Sequence, residues 1–199
     1  TVMYPSSETA LRETDFTGEI APQYFGVGWT KVYLEKMAEF YAGLGRTKHT
    51  VLRHSNIYGP HDKFDLERSH MFGATVTKTM TAQDGRIVVW GEGEEARDLL
   101  YVDDLVDCVE NAIAHQDEPF GLYNIGYGEA FAVKDVVKKI VSASGRDLTI
   151  EFARSKPTIK TSLFLDCALA KQAIGWEKST TFDAGIEATL RWYKANSPT

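Results

Sequence analysis

No glycine-rich phosphate turn of the G-x-G-x-x-G kind occurs in the 199 residues, although sixteen glycines are present. A dinucleotide site built from these residues alone would lack its phosphate cradle. Cysteine is nearly absent. Cys108 and Cys167 stand alone, without metal-ligand spacing. This excludes a disulfide scaffold and is what a reducing, cytoplasmic setting predicts. No apolar run approaches the ~18 residues that would read as a membrane span. No basic run occurs, and the net charge of −6 argues against nucleic acid as a partner. An initiating methionine is lacking too: the chain opens Thr1-Val2-Met3-Tyr4-Pro5. Val2 to Tyr4 read as the end of a strand that Pro5 stops. The expectation is that further residues precede Thr1, and that this stretch alone is inactive.

What is present is an ordinary globular composition, 43% hydrophobic and 25% charged, in a chain long enough to bury a substantial core. Residues 6–28 are polar and turn-rich and read as an active-site loop. A helix is predicted over 29–43, with Trp29, Tyr33, Met37, Phe40 and Tyr41 on one face and Gly43 and Gly45 as its stop. Residues 50–57 read as a strand ending at Gly59-Pro60. Helix is expected over 69–81 and strand over 86–90. A further helix should start with Asp103 as N-cap and turn Leu105, Val109, Ala112 and Ile113 inward. Strands follow over 122–126 and 148–152, with the stripe Val133, Val136, Val137, Ile140 and Val141 between them. Helices over 166–174 and around Phe182, Ile186, Leu190 and Tyr193 complete the chain. Strands alternating with helices predict an α/β fold with a parallel sheet.

Two segments carry chemistry. The first is Leu52-Arg53-His54-Ser55-Asn56-Ile57-Tyr58-Gly59-Pro60, a strand with a polar tip. The second is Arg97-Asp98-Leu99-Leu100-Tyr101-Val102-Asp103-Asp104-Leu105, a strand running into an acid-capped helix. Together with the Lys31 helix, KVYLEKMAEFY, they resemble the back half of an extended short-chain dehydrogenase, the family of nucleotide-sugar epimerases, dehydratases and reductases. The stretch from Gly59 to Met71, GPHDKFDLERSHM, resembles the GDP-L-fucose synthase branch. The resemblance implies the back half of a doubly wound Rossmann domain (1–57 and 101–127) and a small α+β substrate-binding lobe (58–100 and 128–199). It implies NAD or NADP as cofactor and a nucleotide-diphosphate sugar as substrate. It also implies a homodimer through the 29–43 helix.

The same resemblance assigns residues. In this family a tyrosine four residues before a helical lysine shares its face. The lysine lowers the phenol pKa and holds the cofactor ribose, so the tyrosine can exchange a proton as hydride moves. Lys31 matches the lysine, but position 27 is valine. Tyr24 is the nearby substitute, provided Gly26 or Gly28 breaks the helix and lets it fold back. His70 is the implied proton-transfer histidine. Ser55 is assigned to the cofactor, and Asn56, Trp90 and Arg97 to the substrate. Arginine suits a diphosphate because its planar fork bonds two oxygens. Plainer readings stand beside each: Lys31 as a solvated helix lysine, Asn56 bonding its own turn, Arg97 paired with Glu94, Glu95 or Asp98, and Trp90 in the core. Ser162 and Leu163 stand where the family places a basic residue before Asp166, and Lys160 is displaced from it. His61, Asp62, Asp65, Glu67 and His70 match no metal-ligand pattern. The alternative to an enzyme is a non-catalytic relative that keeps the sugar-nucleotide cleft, for which Val27 is the sign.

Overall fold

The computed structural model of the chain describes residues 1–156, 158 and 161–196. The predicted position of Lys160 lies outside the described residues. Residues 1–24 are mostly loop, with two 3-10 turns, Glu13–Asp15 and Pro22–Tyr24, and a bridge from Leu11 to Leu165. The elements that follow are α1 (Phe25–Gly43), β1 (His49–His54), β2 (Asn56–Tyr58), α2 (Met71–Thr81), β3 (Arg86–Trp90) and β4 (Ala96–Tyr101). Next come α3 (Val102–His115), β5 (Phe120–Ile125), β6 (Ala130–Ala132), α4 (Val133–Ser144) and β7 (Thr149–Ala153). β8 (Ser162–Leu163), α5 (Ala168–Ile174) and α6 (Phe182–Asn196) complete the order. Among the described residues no helix is long and apolar enough to cross a membrane.

The strands form three small sheets. β1 runs parallel to β5, with His49 opposite Phe120 and His54 opposite Ile125. β2 runs parallel to β4, with Asn56 opposite Leu99; β4 also pairs antiparallel with β6 and parallel with β8. β3 runs parallel to β7. The class is α/β, and among the described residues only the β4–β6 pair is antiparallel. Among the described residues β1 is paired along one edge only.

The stripe on α4 is buried as its spacing predicts, and it packs against Ile87 and Val89 of β3 and against α6. Each fully buried aliphatic side chain there contributes roughly 1.5–3 kcal/mol. Gly145 stops α4 with a φ of 73°, a left-handed conformation cheap only for glycine.

Four expectations need correction. The strand expected over 50–57 is two strands, broken at Ser55, because β1 follows β5 while β2 turns to β4. Val2 to Tyr4 are not a strand beside β1. Tyr4 N–H closes a turn onto the Thr1 carbonyl at 3.0 Å. Met3 and Tyr4 are both buried, against Leu11 and Leu165. The N-cap of α3 is Tyr101, and Asp103 lies inside its first turn. The same helix turns Asp104, Cys108 and Ala112 inward and leaves Val109 and Ile113 exposed, Ile113 to 81%. Asp104 takes the inward place because it accepts from Ser179 and Thr180, while its carbonyl accepts from Trp176 Nε1.

Candidate active site

The chain changes sheets between Ser55 and Asn56, and a crevice opens there. In open α/β sheets such switch points, beyond the carboxyl ends of strands, are where ligands bind. Two cavities meet at the switch and share Thr1, Val2 and Asn56.

The first, of about 520 Å³, is walled by α1 and β1. Val27, Lys31, Leu34 and Glu35 line it from the helix, and residues 50–57 from the strand side, together with His70. Lys31 and His70, called as catalytic, thus share one cavity. Ser55, called as a cofactor residue, is 3% exposed, and its Oγ makes no hydrogen bond. A long contact of its hydroxyl with the Asp98 carboxyl lowers that pKa, and no closer partner holds Oγ. A buried hydroxyl left this way costs free energy unless something binds it. A polar ligand in this cavity would satisfy it.

Helix α1 runs unbroken from Phe25, through Gly26 and Gly28. This corrects the expectation of a break that returns Tyr24 to Lys31. Gly28 serves a different purpose: a Cβ there would lie 2.7 Å from Ile20 Cγ2, so glycine lets the preceding loop close onto the helix. Tyr24 is the N-cap residue of α1 and lines the other cavity. Val27 occupies the place one turn before Lys31 and is 49% exposed.

The second cavity, of about 370 Å³, holds Tyr24, Asn56 and Arg97. The loop residues Pro5, Ser6, Thr17 and Glu19 wall it, with Thr161 and Leu163. Asn56 Nδ2 donates to the Asp98 carbonyl at 3.1 Å, not to its own turn. Arg97 Nη1 donates to the carbonyls of Ala96, at 2.9 Å, and Thr161. Burial lowers the Arg97 pKa, while Tyr24 and Glu95 oppose that. Of the acids named in the plain reading, Glu95 acts on Arg97 through its charge, while Glu94 and Asp98 have other bonds. Glu94 takes Lys134 at 2.8 Å through both oxygens. Asp98 is fully buried and accepts from the backbone N–H groups of Tyr127 (2.7 Å), Leu165 (3.1 Å) and Gly128 (3.2 Å). Burial raises the Asp98 pKa against those bonds. A Cβ at Gly126 would lie 2.5 Å from Asp98 Oδ2, so glycine is what lets that loop wrap the carboxylate.

A third hollow, of about 770 Å³, continues from the second through Ser6 and Thr161. Gly91, Glu92, Glu94, Glu95, Arg154 and Lys156 line it. Trp90 stands next to it, 54% exposed, with Lys156 Nζ 5.8 Å from its ring centroid. The expectation of Trp90 as a core residue is therefore corrected, since its strand alternates buried Ile87 and Val89 with outward Val88 and Trp90. Among the described residues no group of three or more His, Cys, Asp or Glu is placed to hold a metal.

The segment 6–28, read from the sequence as an active-site loop, does supply Ser6, Thr17 and Glu19 to the second cavity, but sequence reasoning singled out none of these three as site residues, since they carry no periodicity. Sequence reasoning also missed a buried charge centre beside the first cavity. Arg53 Nε and Nη2 donate to the two carboxylate oxygens of Glu35 at 2.9 and 2.8 Å. A signal for it existed: Glu35 lies four residues after Lys31, and Arg53 is a charge inside an apolar strand.

Known proteins resemble this chain in sequence and fold. The family described as "NAD dependent epimerase/dehydratase family" matches residues 1–126. GDP-L-colitose synthase of Yersinia pseudotuberculosis is 27% identical over 200 residues, covering 96% of this chain and 64% of that protein. GDP-L-fucose synthase of Escherichia coli is 28% identical over 204 residues, covering 96% and 62%. The solved structure of UDP-glucose 4-epimerase from Thermotoga maritima, with UDP-glucose, superposes with a TM-score of 0.82 at 25% identity, covering 95% and 58%. The chain therefore spans less than two thirds of the length of each.

Proposed function

The chain belongs to the NAD dependent epimerase/dehydratase family, and we propose that its protein acts on a nucleotide-diphosphate sugar as an NAD(P)-dependent epimerase, dehydratase or reductase. GDP-L-fucose synthase and GDP-L-colitose synthase are the kind of relative it resembles. The observation that carries this reading is the pair of cavities joined at Asn56, with Lys31 and His70 on one side and Arg97 on the other. A cofactor ring in the first would meet a sugar reaching over from the second.

Lys31 and Ser55 would hold NAD or NADP, which when bound supplies or takes the hydride. The orphaned Ser55 hydroxyl and the cationic Lys31 suit its carboxamide and ribose. Arg97 grips diphosphate oxygens through its fork, and Asn56 keeps Oδ1 as an acceptor toward a sugar hydroxyl. Tyr24 reaches the substrate from the Arg97 side. His70 moves the proton that a tyrosine at position 27 would have moved. Trp90, at the far hollow, contacts the nucleoside end. Residues 1–57 and 101–127 form the cofactor side in this reading, and 58–100 with 128–199 the substrate lobe. Exposed Trp29, Tyr33, Phe40 and Tyr41 on α1 support a homodimer through that helix.

A second reading has its own observation. Val27, on an unbroken helix one turn before Lys31, leaves no phenol for the usual proton transfer. A binding relative without turnover would look the same. Nicotinamide oxidation and reduction, assayed with GDP- and UDP-sugars on the full-length protein, separates the two. The enzyme turns over at least one; the relative binds one and turns over none.

A further inference from the structure

We propose that Arg53 is a positioning residue that fixes Lys31 relative to the loop shared by both cavities. The proposal rests on the reading of Lys31 as facing the cofactor. Arg53 is 8% exposed, and its guanidinium is spent in three directions at once. Two nitrogens bond Glu35, on the same face of α1 as Lys31 and one turn further on. Nη1 also donates to the Tyr4 hydroxyl at 2.7 Å and to the Glu13 carbonyl at 2.8 Å. The Tyr4 hydroxyl in turn donates to Asn124 Oδ1 at 2.7 Å. Asn124 closes the circuit from β5, donating through Nδ2 to the Leu11 carbonyl and through its N–H to Glu13 Oε1.

One buried cation thus joins α1, β1, β5 and the loop over 1–16. That loop supplies Thr1, Val2, Tyr4, Pro5 and Ser6 to the cavities, and α1 supplies Val27 and Lys31. Burial works against the charge on Arg53, but its bonds to Glu35 and Tyr4 outweigh this and hold its pKa above the usual guanidinium range. The guanidinium therefore stays charged and in place. A lysine could not do this, since an ammonium has no fork. The circuit also removes Tyr4 as a stand-in for the missing phenol. Its proton is committed to Asn124, and burial raises its pKa despite Arg53 and Asn124.

The test uses the full-length protein with ¹³C-methyl labels on its lysines, the Lys31 signal being assigned with Lys31→Arg. Two variants are compared. Arg53→Lys keeps the charge and loses the fork. The pair Glu35→Leu with Arg53→Met removes both charges, a replacement that buried pairs often tolerate. In a variant that melts within roughly 5 °C of wild type, the Lys31 signal should move or split while those of Lys138 and Lys171 stay. Where turnover is measurable, kcat should fall about tenfold or more while KM changes less than roughly threefold. An unmoved Lys31 signal in a folded variant overturns the proposal. So does failure of both variants to fold, which would make Arg53 a stability element only. A wild type that binds no nicotinamide cofactor removes the functional reading of Lys31, and the signal comparison still decides the coupling.

Discussion

The Lys31 cavity and the Arg97 cavity share Thr1, Val2 and Asn56 and are otherwise built from different material. The first is walled by a helix and a strand, and its groups sit at fixed helical and strand intervals. The second is walled largely by loop, its strand-borne groups being Asn56, Arg97 and Leu163. Yet the regular cavity carries the departure that bears on proton transfer, the valine at position 27. In the proposed reading the irregular one offers Asn56 and Arg97 to a nucleotide sugar, though Leu163 lines it where the resemblance implies a basic residue nearby. Chemistry and binding are thus separable in this molecule. In the proposed reading, valine at position 27 leaves out a proton carrier while Arg97, Asn56 and the loops that hold them stand in the other cavity.

The largest expected effect would break that contrast. Val27→Tyr puts a phenol one turn from Lys31, and turnover should rise by the ~10²–10⁴ that a positioned acid–base supplies, with substrate affinity little changed. A steady-state assay that finds no gain would show that the departure at 27 lies off the reaction path. Next comes Arg53→Met alone. Leaving Glu35 as an unpaired buried charge should cost about 3–5 kcal/mol in urea unfolding, whereas the double variant with Glu35→Leu should recover most of it. Arg97→Ala should sharpen the contrast from the binding side. Calorimetry should show nucleotide-sugar affinity weaker by about 1.5–3 kcal/mol, with cofactor affinity held.

The smallest effect concerns Asp98, which lies behind the Arg97 cavity. Burial raises its folded pKa above the unfolded value. A raised carboxyl favours folding while protonated, so its contribution is largest below the unfolded pKa and declines as pH rises through the folded one. Asp98→Asn should flatten that acid-side decline in unfolding curves, at a cost of about 1–3 kcal/mol near neutrality from mismatched N–H donors. An unchanged pH profile would mean that the carboxylate is not strained by its burial.

Legibility in the sequence followed the same divide. The stripes on α4 and α6 were readable because most inward positions are apolar, the buried Ser144 and Thr189 being the polar exceptions. α3 was misread because a buried acid, Asp104, replaces an apolar residue, and hydrophobicity cannot announce hydrogen bonds to Ser179 and Thr180. The break at Ser55 was invisible, since both sides of it are good strand sequence and only the partners differ. Lys31, Asn56, His70 and Arg97 were found through family resemblance and do line the crevice. The Arg53 circuit was not found, because it joins Tyr4, Glu35, Arg53 and Asn124 across long sequence separations.

The most direct test of this account is nicotinamide turnover by the full-length protein with GDP- and UDP-sugars, in wild type, His70→Gln and Tyr24→Phe. The account predicts measurable turnover in wild type, a loss of ~10²–10⁴ in His70→Gln, and a much smaller loss in Tyr24→Phe. Tight binding of a nucleotide sugar with no turnover in wild type, or a collapse in Tyr24→Phe with His70→Gln unaffected, would contradict it.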